Sequence, residues 1–140
     1  MAPPFRPAGL DHVVIRVATP ERMRAFYADV LGCPVEREEA KLGLVQLRAG
    51  RSLIDLVDAQ GELGSSGGAA PGAEGRNMDH LCLGIEPFDE DAIRAHLESH
   101  GIDAGPLKRR YGAEEFGPSI YIEDPEGNVV GLVKSDVPPA

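Results

Sequence analysis

Two histidines in this chain stand at matching points of a repeated pattern. His12 opens "DHVVIRV" and His80 opens "DHLCLGI", each directly after an aspartate. Neutral imidazoles are ready ligands for a divalent ion, and two facing each other across a joint would share one. The plain alternative is that duplication copied a structural residue. A carboxylate would complete the two-histidine, one-carboxylate set that suits iron, manganese, nickel or zinc. Asp55 is the candidate, an acidic residue inside the apolar run "LIDLV", where an unpaired carboxylate is costly to bury. Aligning "LIDLV" onto "VVGLV" near the C-terminus sets Gly131 opposite Asp55. A glycine therefore stands where internal symmetry would put a second carboxylate. Glycine inside a strand marks a bulge or a close approach of another group, and in a non-catalytic binding protein it would enlarge the cleft.

Other residues could serve the same site. Glu123 is a candidate base at the end of a strand, although its place beside "DPEGN" also suits the turn. Asp58, three positions from Asp55, falls on the opposite strand face. Asp11 and Asp79 precede the histidines and are expected to point away from them. Tyr121 could donate a hydrogen bond to a substrate oxygen, with Ser119 beside it on the same face. Arg16, Arg109 and Arg110 are candidate binders of a substrate carboxylate, solvated surface being the bland reading for the last two. Gly112, Ala113 and Glu114 read as a short mobile segment.

These residues need elements to hold them. Residues 1–9 read as a flexible arm. The β-branched stretch 10–18 predicts a strand, and "TPERMRAFYADVLG" predicts a helix capped by Thr19, with Pro20 in its first turn and Gly32 as its stop. Three extended segments follow at about 35–40, 42–49 and 52–58, completing a first βαβββ module over 10–58. Residues 59–77 are dominated by Gly, Ser, Ala and Pro, the composition of a linker or flap. The order then repeats over 78–134: a strand at 78–86, a helix at 89–101 and strands near 106–111, 117–123 and 128–134. A tail, 135–140, ends the chain. The expected fold is α+β, an internal duplication of one module.

Composition narrows the function. The 140 residues carry 23 acidic against 14 basic side chains, a net charge of −9, and no basic footprint for nucleic acid is visible beyond the triplet Lys108, Arg109 and Arg110. No apolar run reaches the length of about 20 residues that a membrane span needs. "MAPPFRPAG" lacks the apolar core of a signal peptide, and with two cysteines in apolar surroundings a cytoplasmic location is expected.

The duplicated module, the "DH" strand openings, "FYADVLG" after the first strand and "YIEDPEGN" before the last resemble the vicinal oxygen chelate superfamily, over about residues 10–134. That superfamily includes glyoxalases, extradiol dioxygenases, epimerases and fosfomycin- and bleomycin-resistance proteins, and the layout is most similar to its small single-domain glyoxalase-like members. The resemblance implies two βαβββ modules curving into open, incomplete barrels around a divalent metal. It implies His12 and His80 as ligands, Asp55 where glyoxalases place a carboxylate, and Gly131 where metal-dependent branches place a glutamate that also moves the proton. The activity implied is that of a metal-dependent lyase or isomerase acting on a small substrate chelated through vicinal oxygens, with about one divalent ion per chain. The alternative is a non-catalytic small-molecule binding or resistance protein, and a dioxygenase is the lesser one. A homodimer is implied too, the site lying within one chain or shared between two.

Overall fold

The computed structural model describes residues 3, 4 and 6–136; the rest of the expected arm and tail lie outside the described residues. The first module consists of β1 (His12–Val17), α1 (Pro20–Ala25, continued by a π-helical turn Phe26–Val30), β2 (Val35–Glu39), β3 (Leu44–Ala49) and β4 (Ser52–Asp58). The second repeats it with β5 (His80–Ile85), α2 (Glu90–Ser99), β6 (Lys108–Gly112), β7 (Glu115–Glu123) and β8 (Val129–Lys134). Each module forms a four-stranded sheet, in the orders β1-β4-β3-β2 and β5-β8-β7-β6. β1 and β5 each pair on one side only, so neither sheet closes. These are two βαβββ modules with open sheets.

The registers of the two sheets match. His12 lies opposite Leu53, and Val14 opposite Asp55, in the parallel β1–β4 pair. His80 lies opposite Val129, and Cys82 opposite Gly131, in the parallel β5–β8 pair. On the other flank, Gln46 faces Asp55 and Tyr121 faces Gly131. Partners across a ladder share a sheet face. One row of the first sheet therefore reads Val14–Asp55–Gln46, and the equivalent row of the second reads Cys82–Gly131–Tyr121. The correspondence between Asp55 and Gly131 is thus a property of the hydrogen-bonded ladder as well as of the sequence.

Alternation sends the remaining side chains inward. Ile15, Val17, Leu47, Ile54 and Leu56 of the first module join Leu97, Ile120, Ile122, Val130 and Leu132 of the second in one buried cluster. Met23, Phe26 and Tyr27, on one side of the first helix, complete it. Gly32 (φ +73°) ends that helix in the left-handed conformation that glycine adopts without strain.

Polar contacts tie the modules together where the β7–β8 turn meets α1. Asp124 is buried and its carboxylate accepts from the Tyr27 hydroxyl (2.9 Å), the Glu126 and Asn128 amides (2.9 Å each) and the Asn128 side-chain amide (2.8 Å). Burial, reinforced by the Asp124 charge, pushes the Tyr27 phenol far above its usual pKa, so it remains a donor. Thr19 sits at the N-cap as the sequence implies, but its side chain makes no cap bond to α1. Instead Glu126, reaching over from the other module, accepts from the Ala18 and Thr19 amides and the Thr19 hydroxyl at 2.7–3.0 Å. A carboxylate at that helix end answers both its free amides and its dipole.

Candidate functional site

Strand period places His80, Cys82, Tyr121 and Gly131 on one face of the second sheet. A β-carbon built on Gly131 would lie 2.6 Å from Cys82 Sγ and 2.8 Å from Tyr121 Cε1. Both distances are well inside van der Waals contact, so this strand has a glycine because its two neighbours close over it. Of the two expectations for Gly131, close approach of other groups holds, and the cleft opening tied to a binding protein is corrected. The space a side chain would occupy belongs to a thiol and a phenol ring.

The phenol does more than fill space. Tyr121 Oη is 3.2 Å from His80 Nε2. His80 Nδ1 lies 2.7 Å from Asp79 Oδ2, and since a carboxylate only accepts, Nδ1 carries the proton. A neutral His80 then offers Nε2 as an acceptor, and the Tyr121 hydroxyl donates to it. Asp79, His80 and Tyr121 thus form a chain of hydrogen bonds ending beside Cys82, whose Sγ is 4.0 Å from Tyr121 Oη. The Arg110 guanidinium stacks 4.0 Å above the Tyr121 ring and donates to Ser119, fixing the ring from the other side. Desolvation, with Cys82 adding to it, raises the Tyr121 pKa.

His12 repeats part of this pattern. Its Nδ1 bonds Asp11 Oδ1 at 2.7 Å, and that bond, with the Asp55 charge adding, raises the His12 pKa. Asp11 and Asp79 therefore turn toward the histidines, contrary to the expectation from strand alternation. Both precede the first residue of their strand, where the two-residue period does not yet bind. Asp55 is only 4% exposed. Its Oδ2 accepts from Gln46 Nε2 at 3.1 Å, and Gln46 is oriented in turn by Arg37, which donates to its Oε1 at 2.9 Å. Asp55 Oδ1 is buried with no hydrogen-bond partner.

His12 and His80 both line a cavity of about 620 Å³ between the free edges β1 and β5, with Leu53, Cys82 and Gly84. Asp55 does not line it. Glu123 lines a larger cavity of about 910 Å³ against the first helix, with Arg22, Asp29 and His100. That space lies at the helical side of the joint, and Tyr121, which bonds His80, also lines it. Sequence reasoning overlooked it because its walls come from four separate elements.

The candidate substrate-binding residues are already engaged. Arg16 donates to the carbonyls of Gly64 (2.8 Å), Gly68 (2.5 Å) and Ala69 (3.1 Å). It straps the Gly-rich segment 59–77 onto the first module, and a β-carbon on Gly67 would stand 2.5 Å from its Nε. Ser119 is fully buried, its hydroxyl bonded to the Lys108 carbonyl and Arg110. Arg109 lies 4.1 Å above the exposed Phe116 ring. Glu114, expected in a mobile segment, accepts from the Ser135 hydroxyl and the Asp136 amide.

Among the described residues no three His, Cys, Asp or Glu side chains gather as a metal set. His80 Nε2, the nitrogen a metal would need, receives the Tyr121 hydroxyl, and position 131 has no carboxylate. The face instead offers a fixed aromatic ring, a thiol and hydrogen-bonding groups, which suit recognition of an organic molecule.

Comparison with known proteins gives a consistent picture. The sequence model of the Glyoxalase/Bleomycin resistance protein/Dioxygenase superfamily matches residues 9–132. Among solved structures, the chain is similar to an integron cassette protein from the mobile metagenome of V. cholerae, at 25% identity and a TM-score of 0.73, covering 94% of this chain and 98% of that one. It also shares its fold with lactoylglutathione lyase from Agrobacterium tumefaciens (21% identity, TM-score 0.67, 93% and 96% covered). A third similar structure is TnmS3, an antibiotic binding protein from Streptomyces sp. CB03234 (21% identity, TM-score 0.68, 97% and 99% covered). No helix among the described residues is long and apolar enough to cross a membrane.

Proposed function

This chain belongs to the glyoxalase/bleomycin resistance protein/dioxygenase superfamily, and on that premise we propose that it is a non-catalytic binding protein for a small organic molecule. The fold alone does not choose between binding and catalysis, since it serves both a lactoylglutathione lyase and an antibiotic binding protein. The choice rests on the second sheet. What carries the reading is the closure of Cys82 and Tyr121 over Gly131, with the Tyr121 hydroxyl on His80 Nε2. A phenol occupies the corner where the family's metal chemistry would need a free imidazole nitrogen and a carboxylate. The ligand would lie against this face and extend into the 620 Å³ cavity, a volume suited to a drug-sized molecule.

The test is equilibrium binding of a panel of planar aromatic compounds, followed by titration calorimetry on the best of them. Tyr121→Ala should weaken the hit by about tenfold or more, as loss of an aromatic contact does, with secondary structure unchanged. A panel without hits, or a hit indifferent to Tyr121→Ala, would refute the reading.

A second reading, a metal-dependent glyoxalase-like lyase or isomerase, is favoured by one observation: His12 and His80 line the same cavity. In it the two histidines would contribute to a metal site, and the proton shuttle would have to be something other than residue 131. We further propose a homodimer. Leu10 (79% exposed) and Val14 (53% exposed) leave apolar surface at the free edge of the first sheet, which a second copy would cover. Light scattering should then give twice the 14.9 kDa chain mass; the monomer mass at micromolar concentration would exclude it.

A further inference from the structure

The Tyr121 hydroxyl stands between two residues that line the 620 Å³ cavity, 3.2 Å from His80 Nε2 and 4.0 Å from Cys82 Sγ. A hydroxyl has one proton to give and lone pairs to accept with, and here the neighbours decide where the proton goes. Asp79 holds the proton of neutral His80 on Nδ1, at 2.7 Å, so Nε2 only accepts and the phenol proton is committed to it. Cys82 offers Oη no more than a weak S–H contact. Tyr121 therefore turns an acceptor, and no proton, toward a molecule on this face.

The surroundings sharpen that polarity. A phenol that donates into an imidazole backed by a carboxylate is polarised along the chain, which strengthens its oxygen as an acceptor. The ring is held in place: Arg110 stacks on it while donating to Ser119, and the ring edge fills the space left by Gly131. It is nonetheless reachable, since Tyr121 is half-buried and its neighbours His80 and Cys82 are exposed. The first sheet has no equivalent. His12 bonds Asp11 in the same way, but Gln46, the register counterpart of Tyr121, bonds Asp55 instead.

We infer that Tyr121 Oη is the specificity-determining hydrogen-bond acceptor of this face, and that the ligand is a planar aromatic molecule donating to it through an N–H or O–H group. The inference rests on the binding reading above and specifies the sign of the ligand's hydrogen bonding. A donor completes Oη and leaves the bond to His80 intact. A ligand that only accepts would set lone pair against lone pair, or would draw the phenol proton away and leave His80 Nε2 unpaired.

Indole, benzofuran and quinoline separate the outcomes. All are flat bicycles; indole donates an N–H, benzofuran lacks it, and quinoline accepts only. They are titrated into the 15N-labelled protein at mildly alkaline pH, where quinoline is uncharged, and followed by amide shifts. Indole should bind about three- to tenfold more tightly than benzofuran, the net worth of one neutral hydrogen bond, with its largest shifts at residues 80–84, 121 and 129–132. Tyr121→Phe keeps the ring and removes the oxygen, so its cost should fall on indole, which drops to the level of benzofuran, and not on quinoline. Equal affinity of indole and benzofuran for this face in the wild type, or a loss for quinoline as large as that for indole, would overturn the acceptor assignment and leave the binding reading standing. Failure of all three to bind this face would count against both. The wild-type comparison decides without the variant, so a poorly folding Tyr121→Phe protein would not spare the assignment.

Discussion

Replacing Asp124 by alanine is expected to remove about 3–5 kcal/mol of folding stability, the signature of breaking a buried hydrogen-bond network. One carboxylate accepts four hydrogen bonds there, at 2.8–2.9 Å. Three of them define the β7–β8 turn, and the fourth joins that turn to the helix of the other module. In the alanine variant the Tyr27 hydroxyl, on a fully buried side chain, is stranded with its proton. The turn also loses the acceptor that organises it, and with it the placement of Glu126 under α1. Tyr27→Phe is the milder companion, since it removes donor and hydroxyl together and leaves Asp124 three other donors; about 1–2 kcal/mol is expected. Against a total of about 5–15 kcal/mol for a domain, Asp124→Ala alone should bring the chain close to unfolding. Urea denaturation measures both. A cost below about 1 kcal/mol for Asp124→Ala would mean that the two modules are not held together at this turn.

The second large effect concerns Gly131. Restoring the carboxylate that symmetry and family resemblance call for, by Gly131→Glu, should destabilise the protein by about 1–3 kcal/mol and create no metal site, as overpacking a closed site does. The new β-carbon would press on Cys82 Sγ and Tyr121 Cε1, and the Tyr121 ring is itself held between Arg110 and His80. Clearing the space first, with Cys82→Ala and Tyr121→Ala, should largely remove the penalty for glutamate. Chemical denaturation of the four proteins in this cycle reads the coupling directly. If Gly131→Glu is neutral in the otherwise unchanged chain, Tyr121 and Cys82 do not own that space.

How much of this could be read in the sequence follows from the range of each interaction. The two modules and the pairing of Asp55 with Gly131 were legible because the duplication and the two-residue strand period are local signals. "DPEGN" was legible as a turn, since Asp124 binds amides two and four residues away. The same carboxylate's bond to Tyr27 spans 97 residues, and nothing local announces it. Glu126 under α1 and the Gly-rich carbonyls on Arg16 are hidden for the same reason. At the site, the sequence pairs His12 with His80, and the two line one cavity, but their proton partners were not legible. Asp11 and Asp79 sit just before their strands, where alternation gives the wrong direction. The Tyr121 contact to His80 depends on a ring two strands away that swings over only because residue 131 has no side chain. A missing ligand was visible in the sequence; what replaced it was not.

The central claim is that the second sheet carries an organic recognition face in place of a metal centre. Elemental analysis of the purified protein, dialysed against equimolar zinc, nickel, manganese and iron(II) and then freed of unbound ions, tests it most directly. The account predicts far less than one ion per chain, with His80→Ala no different from the unaltered protein. About one ion per chain, lost on His12→Ala and on His80→Ala alike, would contradict it.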